Sequence, residues 1–216
     1  IREGKLLPEP IANVPEAYVA SQGGMLEVLL DPDFADNRRL FLSFAYGTPR
    51  ANNTRVVSAR LEGHALQDVL PIFTAQPMKS TPVHYGGRMA FMADGTLLLA
   101  LGDGFDYREE AQNLGSHIGS IVRINTDGSV PADNPFVDRA GALPEIYSYG
   151  HRNVQGLVVD GQSVYAHEHG PKGGDELNFI STGANYGWPI VSKGLDYTGA
   201  RVTPFQQREG MVDPLL

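Results

Sequence analysis

Arg88-Met89-Ala90-Phe91-Met92-Ala93-Asp94-Gly95-Thr96-Leu97-Leu98-Leu99-Ala100-Leu101-Gly102-Asp103-Gly104 is two apolar runs joined by an Asp-Gly turn and followed by an aspartate between glycines. Asp-Gly supplies the left-handed backbone that a tight hairpin needs, so this stretch predicts two antiparallel strands and a polar loop. The same order occurs before it, in Met25 to Leu29, a turn over Asp31 to Asn37, then Leu40 to Phe44. It occurs again after it, in Leu157 to Val159, Asp160-Gly161, Val164 to Ala166 and the loop His167 to Gly174. Met25, Met89 and Leu157 recur at a period of about 65 residues. Arg55 to Leu61 and Ser120 to Ile124 fit as further strands, giving each unit roughly four, the content of one propeller blade. Periodicity alone also permits a β-sandwich of hairpins. The predicted class is therefore all-β, with a β-propeller of about four blades in an incomplete ring.

Glycine (25) and proline (15) are both frequent among the 216 residues, as turns demand, and helical spacing of apolar residues is rare. The net charge of -8, with basic residues scattered singly, gives no footprint for nucleic acid or an anionic membrane. No apolar run is long enough for a membrane-spanning helix. Absence of cysteine excludes a cysteine nucleophile and fits either an oxidising or a reducing compartment. Dinucleotide-binding, Walker and nucleophile-elbow motifs are missing, which argues against nicotinamide chemistry and covalent hydrolysis.

Polar and glycine residues gather at matching places in the units, where propeller loops converge on one end of the channel. His84, ahead of Gly86-Gly87, can serve as a general base if a carboxylate such as Asp103 orients it; a satisfied loop histidine is the plain alternative. Arg152-Asn153 can polarise a carbonyl or hold a carboxylate, and equally can be a surface ion pair. Glu168 to Glu176 mixes carboxylates, glycines and a proline, leaving backbone carbonyls for a hard cation, but without EF-hand spacing. The acidic Asp31 to Asn37 segment reads as a turn, and His167 with His169 lacks a third ligand for zinc.

These stretches, together with Gln22-Gly23-Gly24, His84-Tyr85-Gly86-Gly87-Arg88, Gly150-His151-Arg152-Asn153 and Asn185-Tyr186-Gly187-Trp188-Pro189, resemble the soluble glucose/sorbosone dehydrogenase family, in its aldose sugar dehydrogenase branch. The resemblance implies a six-bladed propeller that oxidises aldoses at C1 with pyrroloquinoline quinone and calcium. By it, His84 matches the general base, Asp103 its supporting carboxylate and Arg152 the residue polarising the quinone. Gln22 and Asn153 match polar contacts to cofactor or substrate. Gly170 and Pro171 match carbonyl ligands of the cofactor calcium, and Glu176 and Tyr186 a further, structural calcium site. It further implies an aldose substrate, an unidentified electron acceptor and a periplasmic or secreted location. Relative to the family, residues 1–216 are expected to be one partial domain truncated at both ends. A non-enzymatic propeller binding module and a calcium-dependent lactonase-like hydrolase are the competing expectations.

Overall fold

A computed structural model describes residues 3–216. Strands β1 (Met25–Leu30), β2 (Arg39–Thr48), β3 (Ala51–Glu62) and β4 (Ala65–Thr74) form the first sheet in chain order. Strands β5 (Gly86–Phe91), β6 (Leu97–Leu101), β7 (Ser120–Ile124) and β8 (Ile146–Tyr149) form the second. The third holds β9 (Val154–Asp160), β10 (Ser163–Glu168) and β11 (Glu176–Phe179). All neighbours are antiparallel, and the first strands of successive sheets, β1, β5 and β9, lie against one another. Meanders stacked face to face with their first strands innermost are blades of an open β-propeller.

Among the described residues three sheets form, within an incomplete ring expected to hold about four blades. Residues 180–216 run as turns with isolated bridges such as Leu195 to Arg201, so no further sheet follows β11. The Asp31 to Asn37 segment is a turn containing a single helical turn, α1 (Phe34–Asn37). Asp31 there accepts from the Asp33 backbone, Asn37 Nδ2 and Arg39 Nε at 2.9, 2.8 and 2.6 Å. Protein donors satisfy the carboxylate, as a turn requires, and these hydrogen bonds, outweighing its burial, hold it below the ordinary aspartate range.

The run Leu97 to Leu101 is wholly apolar because its sheet is covered on both faces. Leu97, Leu99 and Leu101 point to a core shared with Phe41, Val56 and Phe73 of the first sheet. Leu98 and Ala100 point the other way, to Val154, Val164 and Ala166 of the third. Each fully buried leucine contributes about 2 kcal/mol of apolar burial, which is what clamps adjacent blades together. A third cluster, around Leu40, Leu42 and Phe44, lies on the opposite face of the first sheet under Ala17 and Phe34. The far face of the third sheet is open, with Val158 56% and Phe179 41% exposed.

Candidate active site

Loops leaving β6 and preceding β5 and β9 meet at one end of the sheets. Gly102 and Asn153 form an antiparallel bridge between the second and third sheets, and Asp103 N–H donates to the Arg152 carbonyl at 2.7 Å. A Cβ on Gly102 would lie 2.2 Å from the His84 carbonyl, so only glycine lets the three segments approach. Main-chain contacts thus place His84, Asp103, Arg152 and Asn153 together.

His84 is buried, and its Nδ1 lies 2.6 Å from Asp103 Oδ1. Its backbone sits at φ 50° and its N–H donates to Gln22 Oε1 at 2.9 Å. An ionised carboxylate accepts only, so Asp103 selects the imidazole tautomer with the proton on Nδ1 and leaves the Nε2 lone pair to take a proton. Asp103 is held in turn by Phe105 N–H on Oδ1 and the Trp188 indole N–H on Oδ2, each at 2.8 Å. Phe105 adopts φ 68°, a strained conformation for a bulky residue, while its ring meets the His84 ring edge-on at 5.4 Å.

Arg152 Nη1 donates to the His169 and Gly170 carbonyls at 2.8 and 3.0 Å, and Nη2 to the Tyr197 hydroxyl at 3.3 Å. Its Cζ lies 5.4 Å from the centre of the Trp188 ring. Its Nε is buried with no acceptor, a donor that awaits one. Asp103, Arg152, Pro171 and Trp188 share a cleft of about 460 Å³ whose mouth carries Phe105 and Tyr197, stacked at 6.0 Å.

Gln22 and Asn153 face a different cavity, of about 210 Å³, beside Tyr85, Gln155 and His169. Consecutive residues Arg152 and Asn153 therefore look into separate spaces, as alternation along an extended segment requires. Gly170 offers its carbonyl to Arg152, so that oxygen faces a guanidinium in this arrangement. The Tyr186 hydroxyl donates to Phe179 O at 2.5 Å and accepts from Ser181 N–H at 2.8 Å, while its ring stacks on His151 at 4.6 Å. Glu176 lies beside Asn178, and burial together with the nearby Glu168 carboxylate pushes its carboxyl up to about 7. Among the described residues no three His, Cys, Asp or Glu side chains are grouped to hold a metal ion. Trp188, Phe105 and Tyr197 are the site residues that residue-by-residue reading passed over; Trp188 stood in a quoted motif without a role.

The glucose/sorbosone dehydrogenase family model matches residues 1–216. The chain belongs to that family. It is 40% identical to the aldose sugar dehydrogenase of Escherichia coli over 92% of this chain and 55% of that protein. The chain thus spans just over half the length of that relative. The crystal structure of the soluble Escherichia coli aldose sugar dehydrogenase in its apo-form superposes with a TM-score of 0.94 at 38% identity, over 99% of this chain and 63% of that one. An aldose sugar dehydrogenase from Streptomyces coelicolor, solved in its PQQ-bound form, matches with a TM-score of 0.76 at 31% identity, over 95% of this chain and 57% of that one. Among the described residues no helix of this family member is long and apolar enough to cross a membrane.

Proposed function

We infer that the chain carries the proton-abstracting half of an aldose dehydrogenase site, oxidising the sugar at C1 to the lactone. The observation that carries this reading is the buried His84–Asp103 pair at 2.6 Å, set next to the cleft that holds the unpaired Arg152 Nε. His84 Nε2 removes the proton of the C1 hydroxyl, and Asp103 stabilises the imidazolium that forms. Pyrroloquinoline quinone, when bound, supplies the two-electron acceptor for the hydride leaving C1.

The residues present fit that group. It is a planar tricarboxylate with adjacent carbonyls, and Arg152 offers a free buried donor and a planar guanidinium in a cleft floored by an indole. Arg152 would hold it and stabilise negative charge on a carbonyl oxygen. Gln22 and Asn153 serve as framework: Gln22 fixes the His84 backbone and Asn153 closes the bridge to Gly102. The Gly170 carbonyl accepts one hydrogen bond from Arg152 and keeps a second lone pair, so calcium at the Gly170 and Pro171 carbonyls stays part of this reading, with no step routed through it. For Glu176 and Tyr186, the support for calcium is limited to the buried, unpartnered Asn178 Oδ1 next to Glu176. Reoxidation by an electron acceptor and an exported location belong to the same reading.

The test is reconstitution with pyrroloquinoline quinone and calcium, followed by glucose-dependent reduction of an artificial electron acceptor. Turnover that disappears in His84→Ala supports the assignment. Cofactor binding with undiminished turnover in His84→Ala removes histidine from the mechanism, and a properly folded protein with no affinity for the quinone returns the binding module to first place.

A further inference from the structure

Asp103 and Trp188 are 85 positions apart, yet the indole Nε1–H meets Asp103 Oδ2 at 2.8 Å. The other carboxylate oxygen carries the His84 contact at 2.6 Å and the Phe105 N–H at 2.8 Å. A carboxylate bonded through one oxygen keeps a broad torsion about its terminal bond. A donor on the second oxygen removes that freedom and fixes the direction in which Oδ1 faces the imidazole. Because an indole is neutral, it does this without adding a positive charge beside Asp103, which retains its own charge for the developing imidazolium.

The tryptophan is itself anchored. Its backbone N–H donates to the Gly150 carbonyl at 2.9 Å, and its backbone carbonyl accepts from Gln112 Nε2 at 2.8 Å. Gln112 and Asn185 exchange hydrogen bonds at 2.9 and 2.7 Å just before it. Only 8% of Trp188 is exposed, and its ring lies against Arg152. One side chain therefore touches both the acid–base pair and the cation.

We propose that Trp188 is a positioning residue of the reaction, aligning His84 through Asp103 while its ring lies against Arg152. The inference rests on the reading of His84 as the base. Trp188→Phe keeps an aromatic ring beneath Arg152 and deletes only the donor. The expected result is a fall in kcat of about tenfold, the worth of one hydrogen bond to a charged group, with KM changed less than twofold. The structural readout needs no cofactor: in ¹⁵N-labelled protein, the parent should show a single Nδ1–H tautomer for His84, and Trp188→Phe should lose it. Identical His84 nitrogen shifts in parent and folded variant would overturn the proposal whatever the kinetics.

Should Trp188→Phe fail to fold, Asp103→Asn gives the reciprocal measurement. The chain has one tryptophan, so its indole N–H resonance is assigned without ambiguity. That resonance should move upfield when the charged acceptor is replaced, and an unmoved resonance would also overturn the proposal. An intact Trp188–His84 coupling beside a fully active His84→Ala would instead overturn the base reading, so the two failures are distinguishable.

Discussion

Two buried histidines in this molecule make the same first contact and are put to different use. His84 Nδ1 faces Asp103 at 2.6 Å, and His151 Nδ1 faces Glu168 at 2.9 Å. Around His151 everything is closed: Nε2 pairs with Ser148 Oγ at 2.9 Å and the ring stacks on Tyr186. Glu168 also receives Arg152 N–H at 2.5 Å and Asn178 Nδ2 at 3.2 Å. Around His84 the second ring nitrogen is left for an incoming proton, and the carboxylate's neighbours line a cleft. A histidine–carboxylate pair is therefore a joint when both ring nitrogens are engaged and, on the proposed reading, is available as a base when one is not. Residue type and spacing do not separate the two cases.

The sharpest way to break this contrast is to remove each imidazole in turn. His84→Ala should lower turnover by about 10³-fold or more, the usual share of a general base, while the urea midpoint moves little. A loss under tenfold would erase the distinction. His151→Ala should instead reduce stability by about 3 kcal/mol in urea denaturation, because buried Ser148 Oγ loses its partner, Glu168 loses one of its three, and a cavity opens beside Tyr186. Arg152→Lys probes the link between the regions, since its backbone serves Glu168 and its side chain faces the cleft. Keeping charge but losing the planar fork should cost about 10²-fold in kcat with quinone still binding, read by steady-state kinetics and cofactor titration.

Lys79 sharpens the comparison most gently. It is buried beside the Asp103 loop, donating to the Thr81 carbonyl at 2.6 Å and lying 3.6 Å from the Tyr85 ring centre. Burial pushes its ammonium down to about 7, against the opposing pull of Asp103. The unfolded chain holds this proton up to about 10.5, so between about 7 and 10.5 it binds more protons than the folded protein. Stability should therefore rise with pH across that window, by about 1 kcal/mol per unit at its steepest. Lys79→Met should flatten the rise, measured as urea midpoints at neutral and alkaline pH; an unchanged slope would place the effect elsewhere.

How much of this could be read from the sequence follows from the range of each interaction. Leu97 to Leu101 declared a strand covered on both faces, since local pattern and burial coincide there. Met25 and Leu157 fall in the first strands of the first and third sheets, as the repeat of about 65 residues implied. The residue types at His84, Asp103 and Arg152 were legible because motifs carry them. The Trp188 bond to Asp103 was not, because it joins two loops whose meeting depends on how the sheets stack. The division of Gln22 and Asn153 from Arg152 into separate cavities was hidden too, since direction along an extended segment is set by register. The turn-rich tail from 180 onward has the composition of hairpin loops without the alternating runs that would make strands, and it forms turns.

The Gly102–Asn153 bridge has a consequence for anyone who would remodel this protein. The spacing between His84 and Arg152 is written in main-chain bonds joining two sheets, and side-chain reach contributes little to it. Substitutions in a distal hairpin such as residues 62–65 should therefore leave the reaction geometry untouched. A single methyl group on Gly102 would shift both partners at once.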